Sequence, residues 1–134
     1  MIKAKKSLGQ NFLIDKSIIE KITNILDIKD KAILEVGPGT GNLTSSLLNK
    51  KPKKFYAIEK DANLANLLEE NFKDKIVLIK DDVLNLNENI LSKEKLIVFG
   101  NLPYNISTEI LCKWILNIND QKIWFSNLIL MFQK

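Results

Sequence analysis

The amino-acid sequence predicts an α/β fold, a parallel sheet with helices on both faces, within a single domain. Short apolar runs alternate along the 134 residues with helical segments, and this order of elements builds parallel sheets. The runs are largely continuous in apolar residues, as strands buried on both faces are. In such open sheets ligands bind beyond the carboxyl ends of the strands, so the residues after each run are the candidate functional residues.

Five apolar runs are predicted strands, and their expected order across the sheet is 3-2-1-4-5. In that order the fifth strand lies at an edge of the sheet, and an uncovered apolar edge promotes aggregation. The predicted strands are AILEV (32–36), KFYAIE (54–59), IVLI (76–79), LIVF (96–99) and NLILMF (127–132).

Four segments are predicted helices, because apolar residues recur in them at helical spacing or a capping residue precedes them. The first has an apolar stripe and two alternative capping side chains. The predicted helices are 15–26, with the stripe Ile18, Ile22, Ile25 and Leu26 and the cap Asp15 or Ser17; 42–49; 61–72, with the cap Asp61; and 107–118, with the cap Ser107 and with Glu109 in the first turn.

The composition excludes several kinds of protein. A chain with 46% hydrophobic and 27% charged residues is a normal globular mixture, and no apolar stretch is long enough for a membrane span or a signal peptide. We therefore expect a cytoplasmic protein with no membrane partner. With no histidine and one cysteine, the usual zinc sites and Cys/His or Ser/His nucleophile pairs are excluded, so no metal is expected. Cys112, in EILCKWIL, is expected to pack as a small apolar side chain.

The net charge of +4 comes from twenty lysines and no arginine, and it is a weak indicator of a polyanionic partner because it can reflect codon composition. Two local clusters are more informative. Clustered lysines can neutralise nucleic-acid phosphates, although a solvated loop is the simpler explanation of either cluster taken alone. The clusters are Lys3, Lys5 and Lys6, and Lys50, Lys51, Lys53 and Lys54.

The segment EVGPGTGNLT follows the first predicted strand into a helix. Its glycines Gly37, Gly39 and Gly41 allow positive φ and close backbone approach, so a small ligand fits there. The dinucleotide fingerprint G-x-G-x-x-G requires glycine at position 42, where this chain has Asn42. A tight strand-to-helix turn is the alternative interpretation of this loop.

Carboxylates follow the second and third predicted strands. Glu59 lies 22 residues after Gly37, where a carboxylate can accept both hydrogen bonds of a ribose diol. Asp82, with Asp81 as its competitor, is placed to accept from an adenine amino group. Solvent exposure or capping is the alternative for each of these acids. A nucleoside site without a phosphate-binding lysine or a Walker pattern favours S-adenosylmethionine over NAD or ATP.

Four segments in this order, KKSLGQNFL, EVGPGTGNLT, EKD and GNLPYNIS, resemble the 16S ribosomal RNA adenine dimethyltransferases, the KsgA family. The resemblance spans nearly the whole chain and implies a Rossmann-like S-adenosylmethionine-dependent methyltransferase fold. It also implies site roles for individual residues, of which those of Asn11 and Leu13 rest on the resemblance alone. By this resemblance Asn11 and Leu13 close one side of the cofactor, Gly37 faces its methionine portion, Glu59 faces its ribose and Asp82 faces its adenine. Gly39 is also expected to bind the cofactor, and Asn101 approaches the methyl-transfer centre.

The segment NLPY then has a chemical interpretation. The 6-amino group of adenine is a poor nucleophile and must be activated. The Asn101 side-chain oxygen and the Leu102 carbonyl can do this by accepting hydrogen bonds from its two N–H groups. Pro103 biases Leu102 towards an extended backbone, and Tyr104 can stack on the base. The alternative is a turn that leaves the strand with Tyr104 packed on the sheet. A neutral Asn101 followed by Leu102 points away from many DNA amino-methylases and protein-glutamine methylases, which share a D/N-P-P-Y pattern.

The resemblance implies a family reaction that places two methyl groups on each of two adjacent adenines in a small-subunit rRNA hairpin loop, with immature 30S particles as the partner. Two alternatives stay open: an erythromycin-resistance type methylase acting on 23S rRNA, and a non-catalytic RNA-binding relative. Residues 1–134 are expected to be an incomplete catalytic domain, truncated after the fifth strand and lacking the family's C-terminal helical domain. The full-length protein is expected to be a monomer, and residues 1–134 alone are expected to have little or no activity.

Overall fold

The computed structural model describes residues 15–102, 106–116, 118 and 123–132. These ranges contain a five-stranded parallel sheet and four α-helices, which confirms the predicted fold class. Short 3-10 turns connect some of the elements, at Lys73–Lys75, Val83–Asn85 and Glu88–Ile90. In chain order the elements are α1 (Lys16–Thr23), β1 (Ala32–Val36), α2 (Asn42–Asn49), β2 (Lys54–Ile58), α3 (Ala62–Phe72), β3 (Val77–Ile79), β4 (Leu96–Leu102), α4 (Ser107–Leu116) and β5 (Phe125–Phe132).

The strands lie in the order β3-β2-β1-β4-β5, as predicted, and every pair is parallel. The central strand β1 pairs with β2 and β4, so that Val36 lies opposite Ile58 on one side and Gly100 on the other. The carboxyl ends of these three strands therefore meet at one edge of the sheet. β4 runs three residues beyond its predicted end, through Leu102, because it pairs with β5 along its length.

Two apolar layers cover the two faces of the sheet. Alternate strand residues such as Ile33 and Phe99 pack with side chains of α1, α2 and α3 on one face. Their neighbours, such as Leu34 and Val98, pack with Ile110 and other side chains of α4 on the opposite face. All five strand residues of β1 are buried, as expected for a central strand covered on both sides.

Aspartates start two of the helices. Asp15 caps α1 by accepting from the amide of Ser17, and Asp61 caps α3 by accepting from the amides of Asn63 and Leu64. The predicted helix 42–49 has its predicted bounds. Ser107, predicted as a cap, is the first residue of α4, which ends at Leu116 rather than at 118.

The apolar stripe predicted for α1 is wrong in part. The helix ends at Thr23, so Ile25 lies beyond it and is 57% exposed. Within the helix the buried residues are Ile19, Ile22 and Thr23, which share one face, whereas Ile18 is 46% exposed. Of the residues buried within α1, only Ile22 therefore belongs to the predicted stripe.

The expectation that Cys112 packs in the core is also wrong, because the residue is exposed. The buried face of α4 is defined by Ile110 and Trp114, which are four residues apart. A position midway between them points to the opposite side of an α-helix. Within the described part of the chain, no helix is long and apolar enough to cross a membrane.

Candidate functional site at the carboxyl ends of the strands

The hydrogen-bond ladder of the sheet continues into the residues just beyond the strands. The amide of Gly37 donates to the Ile58 carbonyl at 3.0 Å, and the amide of Glu59 donates to the Ile79 carbonyl at 3.0 Å. The backbone positions of Gly37 and Glu59 are therefore fixed by the neighbouring strand in each case. The candidate residues after β1 and β2 thus stand side by side on a rigid edge.

The glycine loop joins β1 to α2 with three left-handed glycines, at φ 67° for Gly37, 60° for Gly39 and 90° for Gly41. A Cβ added at Gly41 would lie 2.7 Å from the ring of Phe72 in α3, so this position requires glycine for space as well as for conformation. A Cβ at Gly37 would meet only the Asn101 carbonyl oxygen, at 3.6 Å. Gly37 is therefore directly beside the end of β4, where the predicted methyl-transfer residue lies.

Glu59 is a buried carboxylate, only 2% exposed, which rules out a solvent-facing charge. Its Oε1 accepts from the amide of Gly39 at 3.2 Å, and its Oε2 accepts from the amide of Asp61 at 3.0 Å. Burial raises the pKa of Glu59 above its usual value, and these two backbone hydrogen bonds oppose that shift. Because a carboxylate has about four acceptor positions, both oxygens keep capacity for further donors.

Glu35 is a second buried acid at this edge, and sequence analysis missed it. It lies in β1, is 2% exposed, and accepts a hydrogen bond from the Thr44 hydroxyl of α2. The pKa of Glu35 is raised from 4.5 to about 8, chiefly by burial; the Thr44 hydrogen bond opposes this shift, and the nearby charge of Glu59 adds to it. The sequence signal that could have identified it is an acid inside an otherwise apolar strand, AILEV.

Asp82 caps the 3-10 turn that follows β3, so the capping role considered for it is present. Its Oδ1 accepts from the amide of Leu84 at 3.0 Å, and its Oδ2 lies 3.3 Å from the Lys60 ammonium. The side chain is 20% exposed, so it is only partly removed from solvent. Asp81 is exposed, and its carboxylate accepts from the amide of Asp82 at 2.7 Å. The two acids are therefore distinct in burial and in contacts.

The NLPY segment begins at the end of β4. Asn101 is half-buried, and the Leu102 side chain is fully buried in the core that lies under α4. Four other predicted site residues lie outside the described residues, so the structure does not place them. They are Asn11, Leu13, Pro103 and Tyr104.

The amino-terminal edge of the sheet, opposite this site, carries the second lysine cluster. Lys50 donates to the Asn24 side chain at 2.8 Å, and Lys53 pairs with Glu94. Both contacts are exposed, as in a solvated loop. The first cluster, at residues 3–6, lies outside the described residues. Among the residues that the structure describes, no three acidic or cysteine side chains are grouped to hold a metal ion.

The sheet order together with the glycine loop and acids at the strand ends defines the class of Rossmann-like methyltransferases. The chain belongs to the ribosomal RNA adenine dimethylase family, whose model matches residues 1–134. Members of this family and fold are S-adenosylmethionine-dependent methyltransferases. The predicted resemblance is thereby confirmed.

Curated relatives agree with this assignment. The chain is 62% identical over 133 residues to the ribosomal RNA small subunit methyltransferase A of Pelagibacter ubique, covering 99% of this chain and 50% of that protein. It is 44% identical over 133 residues to the protein of the same name in Mycoplasmopsis synoviae, covering 98% and 49%. The chain therefore spans about half the length of the curated relatives it matches.

Solved structures share the fold. A dimethyladenosine transferase from Plasmodium falciparum matches with a TM-score of 0.74 and 28% identity, over 92% of this chain and 44% of that one. The 23S rRNA methyltransferase ErmE matches with a TM-score of 0.67 and 29% identity, over 80% of this chain and 43% of that one.

Proposed function

We propose that this chain forms the cofactor-binding half of an S-adenosylmethionine-dependent rRNA adenine N6-methyltransferase. The observation that carries the proposal is the meeting of three features at one sheet edge. These are the left-handed glycine loop, the buried carboxylate of Glu59, and Asn101, whose carbonyl lies against Gly37. The family membership of the whole chain supports the same reaction class.

The residues at the strand ends fit S-adenosylmethionine. Glu59 is held at 3.2 and 3.0 Å by two backbone amides, which orient its remaining acceptor positions for the two hydroxyls of a ribose. Asp82 has a partly exposed side chain whose carboxylate suits the adenine amino group. The open backbone at Gly37 admits the methionine portion of the cofactor. Asn11 and Leu13 would close its other side, as the resemblance of GQNFL to the KsgA family implies. S-adenosylmethionine, when bound, supplies a methyl group on a sulfonium centre.

The last two residues of β4 and the two that follow them would orient the target adenine. The Asn101 side-chain oxygen and the Leu102 backbone carbonyl accept hydrogen bonds from the two N–H groups of the 6-amino group. These hydrogen bonds favour localisation of the nitrogen lone pair in the transition state. Burial of the Leu102 side chain fixes the backbone from which that carbonyl projects. Pro103 restricts the same backbone, and Tyr104 stacks on the base.

The proposed substrate is 16S rRNA in immature 30S particles in the cytoplasm, with two methyl groups added to each of two adjacent adenines of a hairpin loop. Its support is the name of the curated relatives, ribosomal RNA small subunit methyltransferase A. Bases of a single-stranded loop are extruded into a pocket at lower cost than bases in a duplex. We further propose that the full-length protein acts as a monomer.

A second candidate is methylation of 23S rRNA, because the 23S rRNA methyltransferase ErmE shares this fold at 29% identity. A non-catalytic RNA-binding relative is the third. The identities of 62% and 44% to small-subunit methyltransferases favour the first candidate over the second.

The test joins residues 1–134 to the C-terminal half of the Pelagibacter ubique relative and supplies labelled S-adenosylmethionine. Under-methylated small subunits and unmodified 23S rRNA are offered in parallel, and nucleosides are identified by mass spectrometry. We expect N6,N6-dimethyladenosine in 16S rRNA only. Modified 23S rRNA would establish the second candidate, and cofactor binding with no methylated adenosine in either RNA would establish the third.

A further inference from the structure

A buried ion pair joins α4 to the loop that follows β3. The Lys113 ammonium lies 3.0 Å from Oε1 and 3.2 Å from Oε2 of Glu88. The Glu88 side chain is 3% exposed and that of Lys113 18%, so both charges are largely removed from water. The indole Nε1 of the fully buried Trp114 donates to the same carboxylate. Glu88 is therefore held by two adjacent residues of one helix.

Lys113 also holds the backbone of the loop. Its ammonium donates to the carbonyls of Val83, the first residue of the 3-10 turn Val83–Asn85, and of Leu86, the residue after that turn. An ammonium has three N–H donors, and the two carbonyls together with Glu88 use all three. The contacts join positions 25 to 30 residues apart in the sequence. No local pattern in the sequence could have indicated them.

The turn held by Lys113 is the one that Asp82 caps. Asp82 accepts from the amide of Leu84 at 3.0 Å, while Lys113 binds the carbonyls of Val83 and Leu86. The turn is thus fixed through its donors and its acceptors at once. Because Val83 directly follows Asp82, a displacement of this turn moves the carboxylate that faces the proposed adenine position.

A buried ion pair is a weak source of stability, since desolvation of both charges offsets much of their attraction. Fixing of geometry is the better-supported consequence of such a saturated arrangement. From these contacts we infer that Lys113 and Glu88 are positioning residues, which set the Asp82 carboxylate for recognition of the 6-amino group of the cofactor's adenine. This inference rests on the proposed function, because it takes S-adenosylmethionine as the occupant of the strand-end site.

The test measures preference for the purine 6-substituent rather than affinity alone. Binding of S-adenosylhomocysteine and S-inosylhomocysteine is measured by calorimetry on the chain joined to the C-terminal half of the Pelagibacter ubique relative. The second ligand has an acceptor oxygen where adenine has a donor amino group. We expect the unaltered chain to prefer the adenosyl ligand by at least about tenfold. Lys113→Met should reduce that ratio towards one, whereas Lys113→Arg, which keeps the charge and the donors, should retain most of it.

A matched control is Lys21→Met, an exposed lysine in the last turn of α1, which should leave the ratio unchanged. Glu88→Gln keeps the shape and an acceptor for Trp114 but removes the negative charge, and we expect a several-fold decrease of the ratio. This second variant provides the test if Lys113→Met does not fold. If folded Lys113→Met, or Glu88→Gln, keeps the unaltered preference for S-adenosylhomocysteine over S-inosylhomocysteine, the inference is overturned.

Failure of the underlying function gives a different result. Asp82→Ala should abolish the preference if the carboxylate faces adenine. A preference that Asp82→Ala abolishes but the Lys113 and Glu88 variants retain refutes only their positioning role. Absence of binding by the unaltered chain, or a preference that persists in Asp82→Ala, refutes the proposed placement of the cofactor itself.

Discussion

Glu59 shows at the scale of one residue how structure and proposed binding are linked. Its carboxylate receives the amides of Gly39 and Asp61, so it fixes the glycine loop against the end of β2. The desolvation that raises its pKa is offset in part by these amides. The amides hold the two carboxylate oxygens and leave acceptor positions for further donors. A ligand that offers two hydroxyl donors therefore meets an acceptor that needs little reorganisation.

Removal of either strand-end carboxylate should weaken S-adenosylmethionine binding. Glu59→Ala and Asp82→Ala each lose hydrogen bonds to a charged acceptor, typically about 1.5–3 kcal/mol, or about 10- to 100-fold in Kd. Titration calorimetry measures this, with Glu70→Ala, an exposed acid of α3, as the control. Unchanged affinity in both variants would mean that the site lies elsewhere.

Glu35 should make the folding stability depend on pH. Its pKa is raised from 4.5 to about 8 in the folded chain, so between these pH values the folded state holds a proton that the unfolded state has lost. The contribution of this group to the free energy of unfolding is therefore fully present below pH 4.5, and it is lost as the pH rises towards 8. Glu35→Gln, which keeps an acceptor for Thr44, should reduce the decline between those values.

Urea denaturation at pH 5 and pH 8 measures this dependence, with the exposed Glu70→Gln as the control. The nearby Glu59 also has a raised pKa, so a part of the slope should persist in Glu35→Gln. An identical slope in Glu35→Gln and the unaltered chain would show that Glu35 ionises normally when folded.

At the scale of elements, the start of α2 depends on its contact with α3. Gly41 is the N-terminal cap of α2 and faces the ring of Phe72 at the end of α3. Gly41→Ala therefore places a Cβ on a left-handed backbone and against the Phe72 ring. Gly37→Ala also places a Cβ on a left-handed backbone, but its nearest neighbour is 3.6 Å away. The pair of variants separates conformation from packing.

Gly41→Ala should destabilise the fold more than Gly37→Ala, by about 1–3 kcal/mol, the usual cost of overpacking. Chemical denaturation of both variants gives the difference. In the double variant Gly41→Ala with Phe72→Leu, a smaller side chain should recover part of the loss, as a non-additive coupling. Equal destabilisation by the two alanines would contradict the close packing of α2 on α3.

The elements show what the sequence could and could not predict. The strands and α2 were predictable because the features that define such elements act locally. Apolar runs are buried, glycines adopt positive φ, and capping aspartates accept hydrogen bonds from helix amides. Ile18 and Cys112 were misassigned because periodicity gives the spacing of a buried face, while neighbouring elements decide which face is covered. The contact of Lys113 with Glu88 depends on tertiary structure alone, since it joins two elements across the fold.

At the scale of the whole molecule, the strand order places the site and an open edge on different sides of the sheet. β5 pairs with β4, and no further strand pairs with β5 among the described residues. Its residues 128–131 are only half-buried, although they are Leu, Ile, Leu and Met. Apolar side chains and unpaired backbone groups along one strand favour pairing with another chain.

The 134-residue chain should therefore associate as its concentration rises. Sedimentation velocity over about a hundredfold range of concentration tests this, because edge pairing obeys mass action. The chain joined to the C-terminal half of the Pelagibacter ubique relative is the control, and we expect it to remain monomeric. A single monomeric species of the 134-residue chain at every concentration would show that the β5 edge is protected.

The most direct test of the account compares methyl transfer with rRNA association for Asn101→Ala, in the chain extended by the relative's C-terminal half. Phosphate contacts supply most of the affinity for RNA, whereas Asn101 would touch one amino group, so filter binding should be nearly unchanged. By analogy with oxyanion-hole donors, the single-turnover rate should fall by about 10²–10³-fold.

The control is Asn127→Ala, a change at an exposed asparagine of β5, which should leave both the RNA affinity and the single-turnover rate unchanged. A single-turnover rate for Asn101→Ala within a few-fold of the unaltered rate would contradict the account, because NLPY would then be only a turn.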